Sequence, residues 1–239
     1  MTWAAGIDVG GTRIKAVAAA SNGTVLRRVT HPTADGAATA ADWTRLAREA
    51  LEGFARELGR PADSVGVCAP GLAARDGRSI AHLPGKLAGL AGIDWTTALD
   101  RRETVPVLND AHAALLGEVW AGSARGRNDV VMLTLGTGVG GAVLAGGRLL
   151  RGAIGRAGHI GHLSLDPEGT PSITGMPGAL ETLVGECTLA ARSGAKCTTK
   201  ISRCMSSKRA PRDAVGWLGS STSPTNTRLP TRRAGRPLA

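Results

Sequence analysis

Apolar and polar positions follow two different periods along the chain. Residues 3–9 and 13–20 alternate as strands around a glycine-rich turn, and Thr24–Val29 reads as a third, which predicts an antiparallel start to a sheet. From Ala41 to Leu58 the period lengthens. Trp43, Leu46, Ala50, Leu51, Phe54 and Leu58 recur at spacings of three and four, predicting an amphipathic helix that covers that sheet. Ser64–Cys68 reads as a short buried strand ending at Ala69-Pro70-Gly71. Arg75-Asp76-Gly77-Arg78 reads as a turn into another strand, and Ala81-His82-Leu83-Pro84-Gly85 as a stiff loop suited to binding. Thr97–Arg102 is expected to be a short helix, Val105–Leu108 a strand, and Ala111–Ala121 a helix opening directly after Asn109-Asp110.

The second half repeats this opening. Val130–Leu135, Gly141–Ala145 and Arg148–Leu150 read as strands around a second glycine-rich turn, followed by a glycine- and histidine-rich loop, Gly152–His162, and a helix over Gly178–Ala191. Residues 193–239 are rich in Ser, Thr, Arg and Pro and follow neither period, so they are expected to be disordered. The pattern divides the chain into a first α/β lobe (1–110), a partial second lobe (111–192) and a basic tail (193–239).

The 239 residues, 42% of them hydrophobic, suffice for a real core. Asp8 interrupts the N-terminal apolar stretch, and no run of about eighteen apolar residues occurs, so neither export nor membrane spanning is expected and the cytoplasm is the expected location. The net charge of +10 is unevenly placed. From Arg192 onwards eleven basic residues face one acid, while residues 1–191 hold eighteen of each sign. A basic tail with Trp217 as its only aromatic residue argues against a specific nucleic-acid partner. Cys68, Cys187, Cys197 and Cys204 lack the close spacing of a zinc pair, and neither a disulfide nor a metal is assigned to them.

The two glycine turns carry the chemistry. Ile7-Asp8-Val9-Gly10-Gly11-Thr12-Arg13-Ile14-Lys15 and Thr134-Leu135-Gly136-Thr137-Gly138-Val139-Gly140-Gly141 each lie between strands. Glycine lets backbone N–H groups approach an anion and turn at positive φ, so two facing turns would grip one polyphosphate, as an ATP clamp does. No G-x-x-x-x-G-K-[ST] occurs, which excludes a P-loop. Both turns run into strands rather than a helix, which disfavours a dinucleotide fingerprint.

A kinase acting on a hydroxyl needs a carboxylate beside the attacking oxygen, and Asp110 is the candidate base, with helix capping as its ordinary alternative. His159 and His162, three residues apart, suit hydrogen bonding to a polyhydroxylated ligand better than structural zinc, which needs more ligands. Glu181 is placed either to accept from the same ligand or to face a helix dipole.

Residues 5–192 resemble the ROK sugar kinases, a family that includes glucokinases, fructokinases and N-acetylmannosamine kinases. Asp8-Val9-Gly10-Gly11-Thr12-x-x-Lys15 is similar to the family's first phosphate motif, Leu108-Asn109-Asp110-Ala111-His112-Ala113-Ala114 to its catalytic segment, and Leu135-Gly136-Thr137-Gly138-Val139-Gly140-Gly141 to its second phosphate motif. The Gly-His loop is the fourth matching motif. The resemblance implies an actin- and hexokinase-like duplicated ATPase fold (ribonuclease H-like), α/β and two-lobed, with the second lobe incomplete. It implies ATP and Mg2+ as cofactors and a sugar between the lobes. Asp110 would be the base, Asn109, His162 and Glu181 would bind sugar hydroxyls, Gly71 would line the pocket, Asp8 would sit near magnesium, and Thr12 and Thr137 would contact phosphate. A homodimer is compatible with it.

The chain departs from the family pattern at several points. His159 occupies a position where the family usually has a sugar-holding Glu, and His82 one where it has Asn. Ser172-Ile173-Thr174-Gly175-Met176-Pro177-Gly178-Ala179-Leu180-Glu181 aligns with the family's C-x-C-G-x-x-G-C-L-E but has no cysteine, so no structural zinc is expected. Near residue 193 the resemblance is expected to stop, as a truncation or change of reading frame would make it. Beside a sugar kinase, the same pattern would suit a non-catalytic sugar-binding remnant, or a sugar-responsive regulator lacking its DNA-binding domain.

Overall fold

The computed structural model describes residues 2–33, 38–83, 85, 87–136, 138–172 and 174–185. The expected tail, the end of the helix expected over Gly178–Ala191, Thr137, and Cys187, Cys197 and Cys204 lie outside the described residues.

β1 (Trp3–Val9), β2 (Arg13–Ala20) and β3 (Val25–Pro32) form the expected antiparallel meander. The sheet continues on the other edge of β1 with β4 (Ser64–Ala69) and β7 (Val107–Asn109), both parallel, in the order β3-β2-β1-β4-β7. A small hairpin of β5 (Leu72–Ala73) and β6 (Ile80–His82) follows β4.

α1 (Ala40–Leu58) covers one face of the large sheet. Trp43, Ala47, Ala50 and Phe54 are buried against Trp3, Ala5, Ile7 and Val9 of β1, Ile14 and Ala16 of β2, and Val65 and Val67 of β4. Fully burying an aliphatic side chain such as Ile7 contributes about 1.5–3 kcal/mol, so this cluster accounts for the solidity of the first lobe. Asp42 accepts a hydrogen bond from the Thr39 backbone N–H at 2.9 Å and so helps start α1.

The short helix is displaced from its expected place over Thr97–Arg102. α2 runs Trp95–Ala98, because Asp94 caps it by accepting from Thr96 N and Thr97 N, and Asp100, with φ 50°, has already left helical geometry. The fully buried Trp95 anchors it in the first-lobe core.

α3 (Asp110–Ala121) leads into the second lobe, an antiparallel sheet of β8 (Val130–Leu135), β9 (Val139–Ala145) and β10 (Arg148–Leu149) in the order β10-β9-β8. Its buried cluster among the described residues is Leu115 of α3 with Ala142 and Leu144 of β9, far smaller than that of the first lobe. Val131, Leu133 and Leu135 alternate along β8 on an exposed face. The Gly-His loop ends in a single 3₁₀ turn, Ile160–His162, and α4 spans Leu180–Val184. Among the described residues no helix is long and apolar enough to cross a membrane.

Candidate functional site

The carboxyl end of β7 and the start of α3 form the hinge of the site. Asn109, rather than Asp110, is the helix cap: its Oδ1 accepts from Ala111 N at 2.9 Å and His112 N at 3.3 Å. Its Nδ2 donates to Gly71 O at 3.0 Å, so buried Asn109 spends its polar atoms on holding α3 and the loop after β4. Asp110 is thereby released from capping. It is exposed, and among the described residues its Oδ1 accepts only from the adjacent Ala111 N at 2.8 Å.

Gly71 itself has φ 99°, and a Cβ there would lie 2.6 Å from His82 O, so both backbone conformation and space require glycine. Gly71, His82 and Asn109 therefore meet, with the His82 side chain exposed.

A cavity of about 750 Å³ opens on the sheet face away from α1. Asp8, Lys15, Cys68 and Asp110 all line it. Asp8 and Lys15 are direct cross-strand partners on β1 and β2, and Lys15 Nζ lies 3.4 Å from Asp8 Oδ2. Cys68 Sγ donates toward Asp8 Oδ1 at 3.8 Å. Burial, reinforced by the negative charges of Asp8 and Asp110, pushes the Cys68 thiol up to about 12, so it stays protonated. Sequence reasoning missed Cys68; the parallel register that sets it beside Asp8 is a tertiary fact no local pattern carries.

The first glycine turn closes with Gly10 N donating to Arg13 O at 3.0 Å. Thr33 braces it, donating from Oγ1 to Gly10 O at 3.1 Å and from N to Thr12 O at 3.0 Å. Gly11 follows within the turn, and the Thr12 side chain is exposed. In the second turn Gly136 N donates to Gly138 O at 3.0 Å.

The expected reason for glycine here needs correction. Gly10, Gly136 and Gly138 do not adopt positive φ. Gly10 and Gly138 answer to crowding instead: a Cβ on Gly10 would stand 3.1 Å from Arg13 O, and one on Gly138 would collide with the Glu181 carboxylate. Glu181 accepts from Val139 N at 2.9 Å, so it braces the second turn from α4. Just beyond, a Cβ on Gly140 would reach within 3.7 Å of Ala111 Cβ, which sets the strand leaving the second turn against the helix start that carries Asp110.

Three imidazoles form a separate group. The ring centroids of His112 and His159 are 6.1 Å apart and those of His159 and His162 6.4 Å apart. Buried His112 lies with Nε2 3.1 Å from Ala157 O, so Nε2 carries the hydrogen that the carbonyl accepts. Burial holds His159 below the ordinary histidine range, and the nearby His112, His162 and Arg156 act in the same direction against Asp110. Among the described residues His159 Nε2 and His162 Nδ1 are buried without partners, which leaves two nitrogens for a ligand. His112 was not singled out from sequence, although its position two residues after Asp110 was visible.

The segment aligned with the zinc motif is held by its own polar groups. Ser164 Oγ donates to Pro177 O at 2.7 Å, Ser172 N to Met176 O at 2.8 Å, and Gly178 N to Thr170 O at 3.1 Å. Among the described residues no cluster of three His, Cys, Asp or Glu side chains is arranged to hold a metal ion.

The profile of the ROK family matches residues 4–212, a span that runs past residue 193, where the resemblance was expected to stop. The glucokinase of Halalkalibacterium halodurans is 34% identical over 186 residues, covering 76% of this chain and 56% of that protein. The N-acetylmannosamine kinase of Escherichia fergusonii is 35% identical over 179 residues, covering 74% of this chain and 59% of that one. A ROK family glucokinase from Streptomyces griseus, solved in complex with glucose and AMPPNP, superposes with a TM-score of 0.66 at 27% identity, covering 85% of this chain and 64% of that one. The chain thus spans somewhat under two thirds of the length of these proteins.

Proposed function

The chain belongs to the ROK family, and from that premise we propose that it transfers the terminal phosphoryl group of ATP to a hydroxyl of a hexose-type sugar. The carrying observation is Asp110: freed from capping by Asn109, exposed, and lining the same cavity as Asp8 and Lys15. The names of the relatives, a glucokinase and an N-acetylmannosamine kinase, and the glucose and AMPPNP of the Streptomyces griseus complex support a sugar and a nucleotide as the two substrates.

In this reading Asp110 takes the proton of the attacking sugar hydroxyl as its oxygen bonds to the terminal phosphorus and the bond from that phosphorus to the departing ADP oxygen breaks. Gly11, Thr12, Thr137 and Gly138 present backbone and hydroxyl donors to the phosphates, Gly10 and Gly136 close the turns that hold those donors, and Lys15 offsets the phosphate charge. A carboxylate open to the cavity suits a hard cation, so Asp8 is the residue to hold Mg2+, which when bound would neutralise phosphate charge. Asn109 and Gly71 position the sugar pocket, His82, His159 and His162 bind sugar hydroxyls, and Glu181 supports the second turn beside them. Residues 1–110 act as one lobe, 111–192 as the other, and 193–239 as an appended tail.

The test is a coupled assay with Mg2+ and ATP over a sugar panel, beside calorimetry of the same sugars. ADP release that requires a sugar supports the kinase. Binding heat without turnover identifies a non-catalytic sugar-binding protein, and neither signal overturns both.

A further inference from the structure

Arginines from opposite lobes line a second, smaller cavity. It has a volume of about 310 Å³ and is lined by Arg75 and Ala74 from the first lobe, Arg151 and Ala153 from the second, and His112 and Leu108 beside the start of α3. None of its lining residues is an acid. Arg75 crosses the seam, donating from Nε and Nη2 to Ala153 O at 3.2 and 3.0 Å. Arg151 reaches back the other way: a Cβ on Gly77 would lie 3.8 Å from its Nη1.

Among the described residues neither arginine is paired with a carboxylate, whereas nearby Arg78 is bound to Asp94 at 2.8 Å. The acid next to Arg75 is turned away, since Asp76 Oδ1 accepts from Arg78 N at 3.0 Å. The loop supplying the far wall is uniformly basic: residues 148–165 contain Arg148, Arg151, Arg156, His159 and His162 and no acid. Two like charges lining one cavity, with no counter-charge among the described residues, disfavour each other, and a planar or tetrahedral oxyanion bound between them would convert that cost into charge-assisted hydrogen bonds.

We propose that Arg75 and Arg151 form an oxyanion site at the seam of the two lobes, which takes the phosphate or carboxylate group of a small molecule and, by engaging a guanidinium from each side, holds the lobes together. His112 leads from this cavity toward His159 and His162, so the anionic group of a sugar derivative and a free anion share the required chemistry. The site does not depend on phosphoryl transfer, and binding is its readout.

The full chain is titrated calorimetrically with inorganic phosphate and, separately, with glucose 6-phosphate, as parent and as Arg151→Gln. Arg151 is exposed and makes no side-chain hydrogen bond among the described residues, so the variant is expected to fold, which circular dichroism checks. Saturable binding of either titrant by the parent, weakened about tenfold or more in Arg151→Gln, supports the site. Tighter binding of glucose 6-phosphate assigns the anion to a sugar, and equal affinity assigns it to free phosphate. No saturable binding of either titrant overturns the proposal, as does affinity unchanged in Arg151→Gln but lost in Lys15→Ala, which would put the anion on the glycine turns.

Discussion

Asn109 Nδ2 donates to Gly71 O at 3.0 Å, tying the helix that carries Asp110 to the loop at the end of β4. The bond joins two segments 38 residues apart and is made by the same side chain that caps α3. Asn109→Asp keeps the capping oxygen but removes the donor and sets a carboxylate against the Gly71 carbonyl. Leaving that carbonyl unpaired costs about 1–3 kcal/mol, to be read by urea denaturation. The sugar KM should rise with it, and an unchanged denaturation midpoint would show that the bond is not formed.

Gly138 and Glu181 make a coupled pair. Gly138→Ala alone must displace the Glu181 carboxylate and release Val139 N, whereas in a Glu181→Ala background the added methyl meets no carboxylate. A double-mutant cycle on thermal stability should give a coupling of about 0.5–3 kcal/mol, with the alanine at 138 far less costly when Glu181 is absent. Strict additivity would contradict the contact.

Acid should weaken the histidine group. His159 titrates lower in the fold than in the unfolded chain, where its value is about 6.5. Below that pH the unfolded chain binds the extra proton, so the stability from this site is complete above about pH 6.5 and is lost as pH falls toward the folded value. His159→Gln should therefore show a shallower loss of stability between about pH 7 and 5 than the parent. An equal or steeper loss would contradict the burial assigned to His159.

Cys68 should resist alkylation in the folded protein. At pH 8 a thiol with a value of about 12 is thiolate in roughly one molecule in ten thousand, so iodoacetamide should label the Cys68 peptide slowly by mass spectrometry. Asp8→Asn removes one of the charges that raise it and should speed labelling without matching the unfolded chain. Labelling of the parent at the rate of a free cysteine would contradict the burial assigned to Cys68.

Local pattern carried the first lobe well. The β1–β2 hairpin, α1 with Trp43, Ala50 and Phe54 on one face, and the strand-to-helix junction at Asp110 all express periods of two and 3.6 that a sequence displays directly. What it could not display were contacts between distant segments. The Asp94 cap shifted α2, the parallel register set Cys68 against Asp8, and Glu181 crowded Gly138, so that Gly138 serves close approach rather than left-handed backbone. Asn109 and Asp110 were both marked as site residues, yet the division of labour between them, cap and free carboxylate, emerged only from the hydrogen bonds.

The proposed phosphoryl transfer depends on Asp110 as the base. Asp110→Asn preserves the size and the helix start while removing the proton acceptor, so kcat for the best sugar should fall by about a hundredfold or more while the calorimetric sugar affinity stays within about threefold of the parent. Turnover equal to that of the parent would contradict the account.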